Sequence, residues 1–144
     1  MHGAGTSPNL RPIGRVESEL AEPSDAPRQA FLGAPPARIE FAPEFEAHAA
    51  DLGVGDTIWI FTWLDRASRD VAAVHPEGNP NNPLTGVFAT RAPHRPNPIG
   101  LHRAVITARE ANSITVDALE ALNGTPVLDV KPVLAEELGQ LFGS

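Results

Sequence analysis

Cysteine is absent from this 144-residue chain, which excludes disulfides, thiolate metal sites and a cysteine nucleophile. No apolar run approaches the roughly 18 residues that a membrane span needs, so no membrane partner is expected. Met1 to Pro8 lack the basic and apolar regions of a signal peptide, which predicts a cytoplasmic protein. There is no Gly-x-Gly-x-x-Gly and no Gly-Lys-Ser/Thr cradle for phosphates. A Gly-x-Ser-x-Gly nucleophile elbow is missing as well. His75, His94 and His102 stand without regularly spaced partner ligands, so no metal site is expected. Hydrolytic chemistry is disfavoured.

What the chain does have is globular. Apolar residues make up 42% and charged residues 20%, enough for one ordinary domain with a real core. Net charge is −7, which argues against broad nonspecific binding to nucleic acid. Its distribution says more than its sum. Between Leu84 and Arg109 lie four arginines (Arg91, Arg95, Arg103, Arg109), two histidines and no acid. One locally basic stretch on an acidic protein suits a phosphate-bearing or anionic ligand at a single site.

Fifteen prolines and twelve glycines punctuate short apolar runs, the pattern of an all-β domain with structured loops. Strands are expected at Pro12–Val16, Ala37–Phe41, Thr57–Leu64, Leu84–Thr90, Leu101–Ala108, Ser113–Ala118 and Val127–Val133. A short helix is expected from Pro43 to Ala50, with proline at its first position and Glu44 and Glu46 in its first turn. A second is expected from Ala135 to Phe142. Thr57–Leu64 is so continuously apolar that burial on both faces is expected, at a barrel core or an interface. Seven short strands with one or two short helices predict a small single β-barrel. Residues 1–10 read as a flexible tail and 11–144 as the domain.

The densest chemistry lies at Gly86–Gly100. Pro93, Pro96 and Pro98 fix φ at three of six consecutive positions and push the residues before them into extended conformations. A rigid loop presenting Arg91, His94, Arg95 and Asn97 is where binding groups tend to sit. Arg28 and Gln29 in a Pro-flanked loop and Asp65-Arg66 after the apolar strand are further candidates. So are Asp129 and Lys131 in the last strand, which otherwise read as a solvent face.

Gly86-Val-Phe-Ala-Thr-Arg-Ala-Pro-His-Arg-Pro-Asn-Pro-Ile-Gly-Leu101, followed downstream by Leu122-Asn-Gly-Thr-Pro-Val-Leu-Asp-Val-Lys-Pro132, closely resembles the TsaA/TrmO (YaeB-like) family. Pro12-Ile13-Gly14 and Pro27-Arg28-Gln29 match it too. The resemblance covers about Arg11 to Pro132. It implies a small β-barrel methyltransferase that uses S-adenosylmethionine and acts as a homodimer. The reaction it implies is N6-methylation of threonylcarbamoyl-adenosine just 3′ of a tRNA anticodon, so that the anticodon loop of tRNA is the expected partner. Matched motif by motif, it implies cofactor contacts at Pro27, Arg28, Gln29, Asp65, Arg66, Arg91 and Leu101 and at Leu119, Glu120, Ala121 and Leu122. His94, Arg95 and Asn97 are then the candidates for the catalytic, substrate-facing side.

Three positions depart from the family pattern. Ala92 stands where serine is usual, Asn123 where aspartate is usual, and Val133 where tyrosine is common. A missing aromatic removes a base-stacking surface of a kind that contributes ~1–3 kcal/mol. Methyl transfer from a sulfonium needs alignment more than it needs a nucleophile, and effective molarity contributes roughly 7–11 kcal/mol. Arg28, Arg66 and Arg91 suit the cofactor carboxylate. His94 is the expected general base for an amide-like nitrogen, imidazole being the side chain type suited to proton transfer at neutral pH. Two other readings fit the same residues: a cofactor-binding module without catalysis, and a methyltransferase for a small molecule.

Overall fold

Alternation of buried and exposed side chains governs the strands. The computed structural model describes residues 8–21 and 33–141. Among these are eight strands: β1 (Gly14–Glu17), β2 (Ala37–Phe41), β3 (Thr57–Trp63), β4 (Ala73–Val74), β5 (Thr85–Gly86), β6 (Ile99–Glu110), β7 (Ser113–Val116) and β8 (Pro126–Pro132). One α-helix, α1 (Ala135–Leu141), follows. The mainly β expectation holds.

Six strands hydrogen-bond in the order β1-β2-β7-β6-β3-β8, and β8 returns to β1 to close a barrel. Every pairing in it is antiparallel. β4 and β5 form a separate two-stranded ribbon. In β2, Ala37, Ile39 and Phe41 point inward. With Ile58, Ile60, Ile106 and Ile114 they make one core inside the ring. Fully burying each of these isoleucine or phenylalanine side chains contributes about 1.5–3 kcal/mol.

Two glycines are needed where they stand. A Cβ on Gly14 would overlap the Glu40 carbonyl oxygen and lie 3.1 Å from the Phe41 Cα, because β1 and β2 cross there at close range. Gly124 has φ +87°, in the region that favours glycine, and turns the chain into β8. Outside the barrel, Arg38 of β2 pairs with Glu17 of β1 at 2.8 Å and with Glu40 at 2.9 Å. The hydrogen bond to Glu17 raises the pKa of this already strong base further.

Three sequence expectations are corrected. Pro43–Ala50 is not an α-helix but two consecutive 3-10 turns, Pro43–Phe45 and Ala47–Ala49, because so short a segment does not offset the cost of an α nucleus. Leu84–Thr90 is a strand only at Thr85–Gly86 and turns at Val87–Ala89; its partner β4 is two residues long. Within the single chain β3 is buried on one face only, so the barrel core does not account for its apolar outer face: Ile58, Ile60 and Thr62 are buried, while Trp59, Phe61 and Trp63 are half-buried. Val133, where the family pattern commonly has tyrosine, is itself buried.

No helix among the described residues is long and apolar enough to cross a membrane.

Candidate functional site

One end of the barrel collects nearly all the candidate residues. β3 leaves the barrel at Trp63, opposite Ile99, where β6 enters. The Leu64 N–H donates to the Pro98 carbonyl at 2.8 Å, which brings Asp65-Arg66 beside the proline-rich loop. Three further bonds stitch the two loops. Ser68 N–H donates to His94 Nδ1 at 3.0 Å. Arg69 donates from Nε to the Pro96 carbonyl at 2.6 Å and from its Nη2 to Asn97 Oδ1 at 3.1 Å. The Arg69 guanidinium also lies 5.3 Å from the centre of a Trp63 ring. Arg69 was not among the residues expected from the sequence.

These bonds specify what each loop side chain offers. Because His94 Nδ1 accepts the Ser68 N–H, the neutral imidazole carries its proton on Nε2. Arg95 donates to the Thr90 and Ala92 carbonyls at 3.0 and 2.9 Å, so part of its fork braces the loop from within. Arg91, Asp65 and Arg66 are exposed. Leu101 lies opposite Phe61 on the outer face of the barrel, half-buried. There it joins Trp59, Lys131, Pro132 and Leu134 around a depression of about 590 Å³. Asp129 and Lys131 pair with each other at 3.4 Å across exposed side chains, as a solvent face would.

The Leu119–Leu122 segment reaches the same end. Leu119 and Ala121 are in the core, so their side chains are committed to packing. The Glu120 side chain is 8% exposed, and its Oε1 sits 2.6 Å from Nδ1 of the buried His102. Its other oxygen, Oε2, is buried and has no hydrogen-bond partner among the described residues. On the far side His102 Nε2 lies 2.7 Å from Thr62 Oγ1. Of this trio only Glu120 was expected from the sequence; Thr62 and His102 were not, although the inward phase of β6 (Gly100, His102, Ala104, Ile106) marks His102 as core-facing.

Pro27, Arg28 and Gln29 lie outside the described residues. The chain on both sides of them is anchored at this same end. Arg66 donates to the Ala21 carbonyl at 3.0 Å, and Asn123 N–H to the Leu20 carbonyl at 2.7 Å. On the other side, Leu119 N–H donates to the Pro35 carbonyl at 3.0 Å. No cluster of three or more metal-binding side chains occurs among the described residues.

Residues 15–137 match the model of the tRNA-methyltransferase O N-terminal domain. The chain belongs to the TrmO N-terminal domain family. A crystal structure of TrmO from Pseudomonas aeruginosa superposes with a TM-score of 0.71 at 32% identity, covering 91% of this chain and 58% of that one. Among curated relatives, an S-adenosyl-L-methionine-binding protein of Archaeoglobus fulgidus is 39% identical over 85% of this chain and 86% of its own length. A second protein of that organism, a probable S-adenosyl-L-methionine-binding protein, is 41% identical over 85% of this chain. The matched region there is 33% of the relative's length. Relatives of the TrmO N-terminal domain thus include chains of about this size and much longer ones.

Proposed function

We propose that this protein is an S-adenosylmethionine-dependent methyltransferase of tRNA, methylating N6 of threonylcarbamoyl-adenosine just 3′ of an anticodon. The observation that carries the reading is the convergence of Asp65-Arg66, Arg91–Leu101 and Leu119–Leu122 on one barrel end, beside the anchors that flank Pro27-Arg28-Gln29. The groups present fit the cofactor. Exposed Arg66 and Arg91 suit a carboxylate, half-buried apolar side chains suit an adenine, and the unpartnered Glu120 Oε2 suits a hydroxyl or N–H donor.

S-adenosylmethionine supplies an electrophilic methyl group when bound. The chain's own work is then alignment. Arg69 and the prolines hold His94, Arg95 and Asn97 in a fixed loop, so little entropy remains to be lost when substrate docks. In the tautomer set by Ser68, His94 Nε2 is a donor. It therefore orients an acceptor on the substrate, such as the carbamoyl oxygen, rather than taking a proton.

The acidic net charge leaves the basic loop as the contact for the anticodon strand, in the cytoplasm where tRNA is modified. The half-exposed outer face of β3, with Ile99 at 43% and Leu134 at 55% exposure nearby, suits a second copy of the chain. Light scattering at micromolar concentration is expected to give a dimer mass. A monomer mass sinks that part of the reading.

The test of function uses methyl-labelled S-adenosylmethionine and bulk tRNA lacking the modification. Label is expected in tRNA, with incorporation falling steeply between about 50 and about 200 mM salt as phosphate contacts are screened. Calorimetric binding of the cofactor with no label in tRNA favours a binding module instead. That alternative has its own support, since a relative that this chain spans over 86% of its length is called a binding protein.

A further inference from the structure

We propose that Thr62, His102 and Glu120 form a buried relay that positions the Leu119–Leu122 segment, and through it the site for S-adenosylmethionine. His102 then acts as a positioning residue at the barrel's core. The cofactor half of this inference rests on the function proposed above; the positioning half does not.

The donor and acceptor inventory gives the trio a direction. A carboxylate only accepts, so the 2.6 Å contact to Glu120 Oε1 has His102 Nδ1 as donor. The neutral ring then presents a lone pair at Nε2, and the Thr62 hydroxyl donates to it across 2.7 Å. Thr62 is fully buried and His102 is 5% exposed, so neither reaches a ligand directly. Gly100 completes the arrangement: a Cβ there would overlap Thr62 Oγ1 and lie 2.7 Å from His102 Nε2. The inner faces of β3 and β6 are shaped around the histidine.

A polar trio is a costly way to fill a barrel core, because buried polar groups are penalised unless fully bonded. Its products are specific. Glu120 belongs to a stretch with neither helix nor strand around it. The bond to His102 fixes where that stretch meets β6 and holds the second carboxylate oxygen in a buried position without a partner among the described residues. An apolar residue at 102 fills the volume but lets Glu120 swing. The relay therefore separates two properties that packing alone would couple: the stability of the barrel and the placement of the 119–122 backbone.

Three variants and two readouts test this. His102→Asn can place an amide N–H where Nδ1 was and keep the Glu120 bond. His102→Gln reaches instead to the Nε2 position and keeps only the Thr62 contact. Thr62→Val removes one hydroxyl at nearly constant shape. In the free protein, amide hydrogen exchange at Leu119–Leu122 is expected to speed up at least tenfold in His102→Gln, relative to strand amides of β2 and β7. In His102→Asn it stays within threefold of wild type, with Thr62→Val between them. Calorimetry with S-adenosylmethionine is expected to follow the same order, the Kd rising about tenfold in His102→Gln whatever the melting temperatures. Equal exchange in the Asn and Gln variants overturns the relay. So does an affinity order that tracks melting temperature alone. If wild type binds no S-adenosylmethionine, the proposed function falls, and the exchange data still decide whether the relay positions the segment.

Discussion

Arg69→Ala is expected to lower kcat/KM for methyl transfer by about 10- to 100-fold while moving the melting temperature by no more than about 2 °C. The arginine is exposed and lies outside the motifs, yet it alone grips the proline-rich loop at both Pro96 and Asn97 while resting on Trp63. Exposed contacts of this kind contribute little to global stability. Their effect on a site is larger, since a misplacement of about 1 Å in reacting groups costs ~100-fold in rate. Arg69→Lys keeps the charge but not the planar fork that bonds two acceptors at once, so lysine is not expected to restore activity. Initial rates measured with saturating and limiting tRNA decide it: an Arg69→Ala protein with wild-type rates removes the loop stitch from the account of catalysis.

Gly14→Ala is expected to destabilise the barrel by about 3 kcal/mol, at the upper end of typical overpacking costs. For a chain of this size that is a fall of about 6–12 °C in Tm. The clash is with backbone, the Glu40 carbonyl and the Phe41 Cα, and backbone cannot rotate away. β1 pairs with β2 on one side and β8 on the other, so any retreat from β2 strains the closure. Gly53→Ala is the control. A Cβ there meets nothing within 4 Å and the backbone is not in the positive-φ region, so the change is expected to be neutral or slightly stabilising. Thermal unfolding of both proteins checks the pair, and equal melting temperatures refute the close-approach argument.

Where side-chain alternation and local propensity decide the outcome, the sequence was readable. Ala37–Phe41 has the bounds expected of it, and β3 ends one residue before Leu64. Expectations failed where a segment's partner decides. Leu84–Thr90 carries strand-like residues, but the barrel ring is already closed by other strands and only β4 remains to pair. The outer face of β3 is as apolar as its inner face, and a sequence does not say which of the two meets solvent.

The candidate site divides the same way. The proline-rich loop declares itself through its stiffness and charge. Arg69 and His102 do not, because one acts through a loop almost thirty residues downstream and the other through a carboxylate 18 positions away. The sequence places His94 in the loop but does not show its partner: the Ser68 amide, 26 positions upstream, donates to its Nδ1.

The outer face of β3 has an optical consequence. The chain holds two tryptophans and no tyrosine, and both indoles stand on that face. Trp63 lies beneath Arg69, while Trp59 Nε1 reaches Glu137 of α1 at 3.5 Å. Intrinsic fluorescence thus originates from one strand, with one emitter reporting on the clasp of the proline-rich loop and the other on the docked helix. The protein carries an unlabelled gauge of its own loop, placed beside the residues proposed to meet cofactor, tRNA and a second subunit.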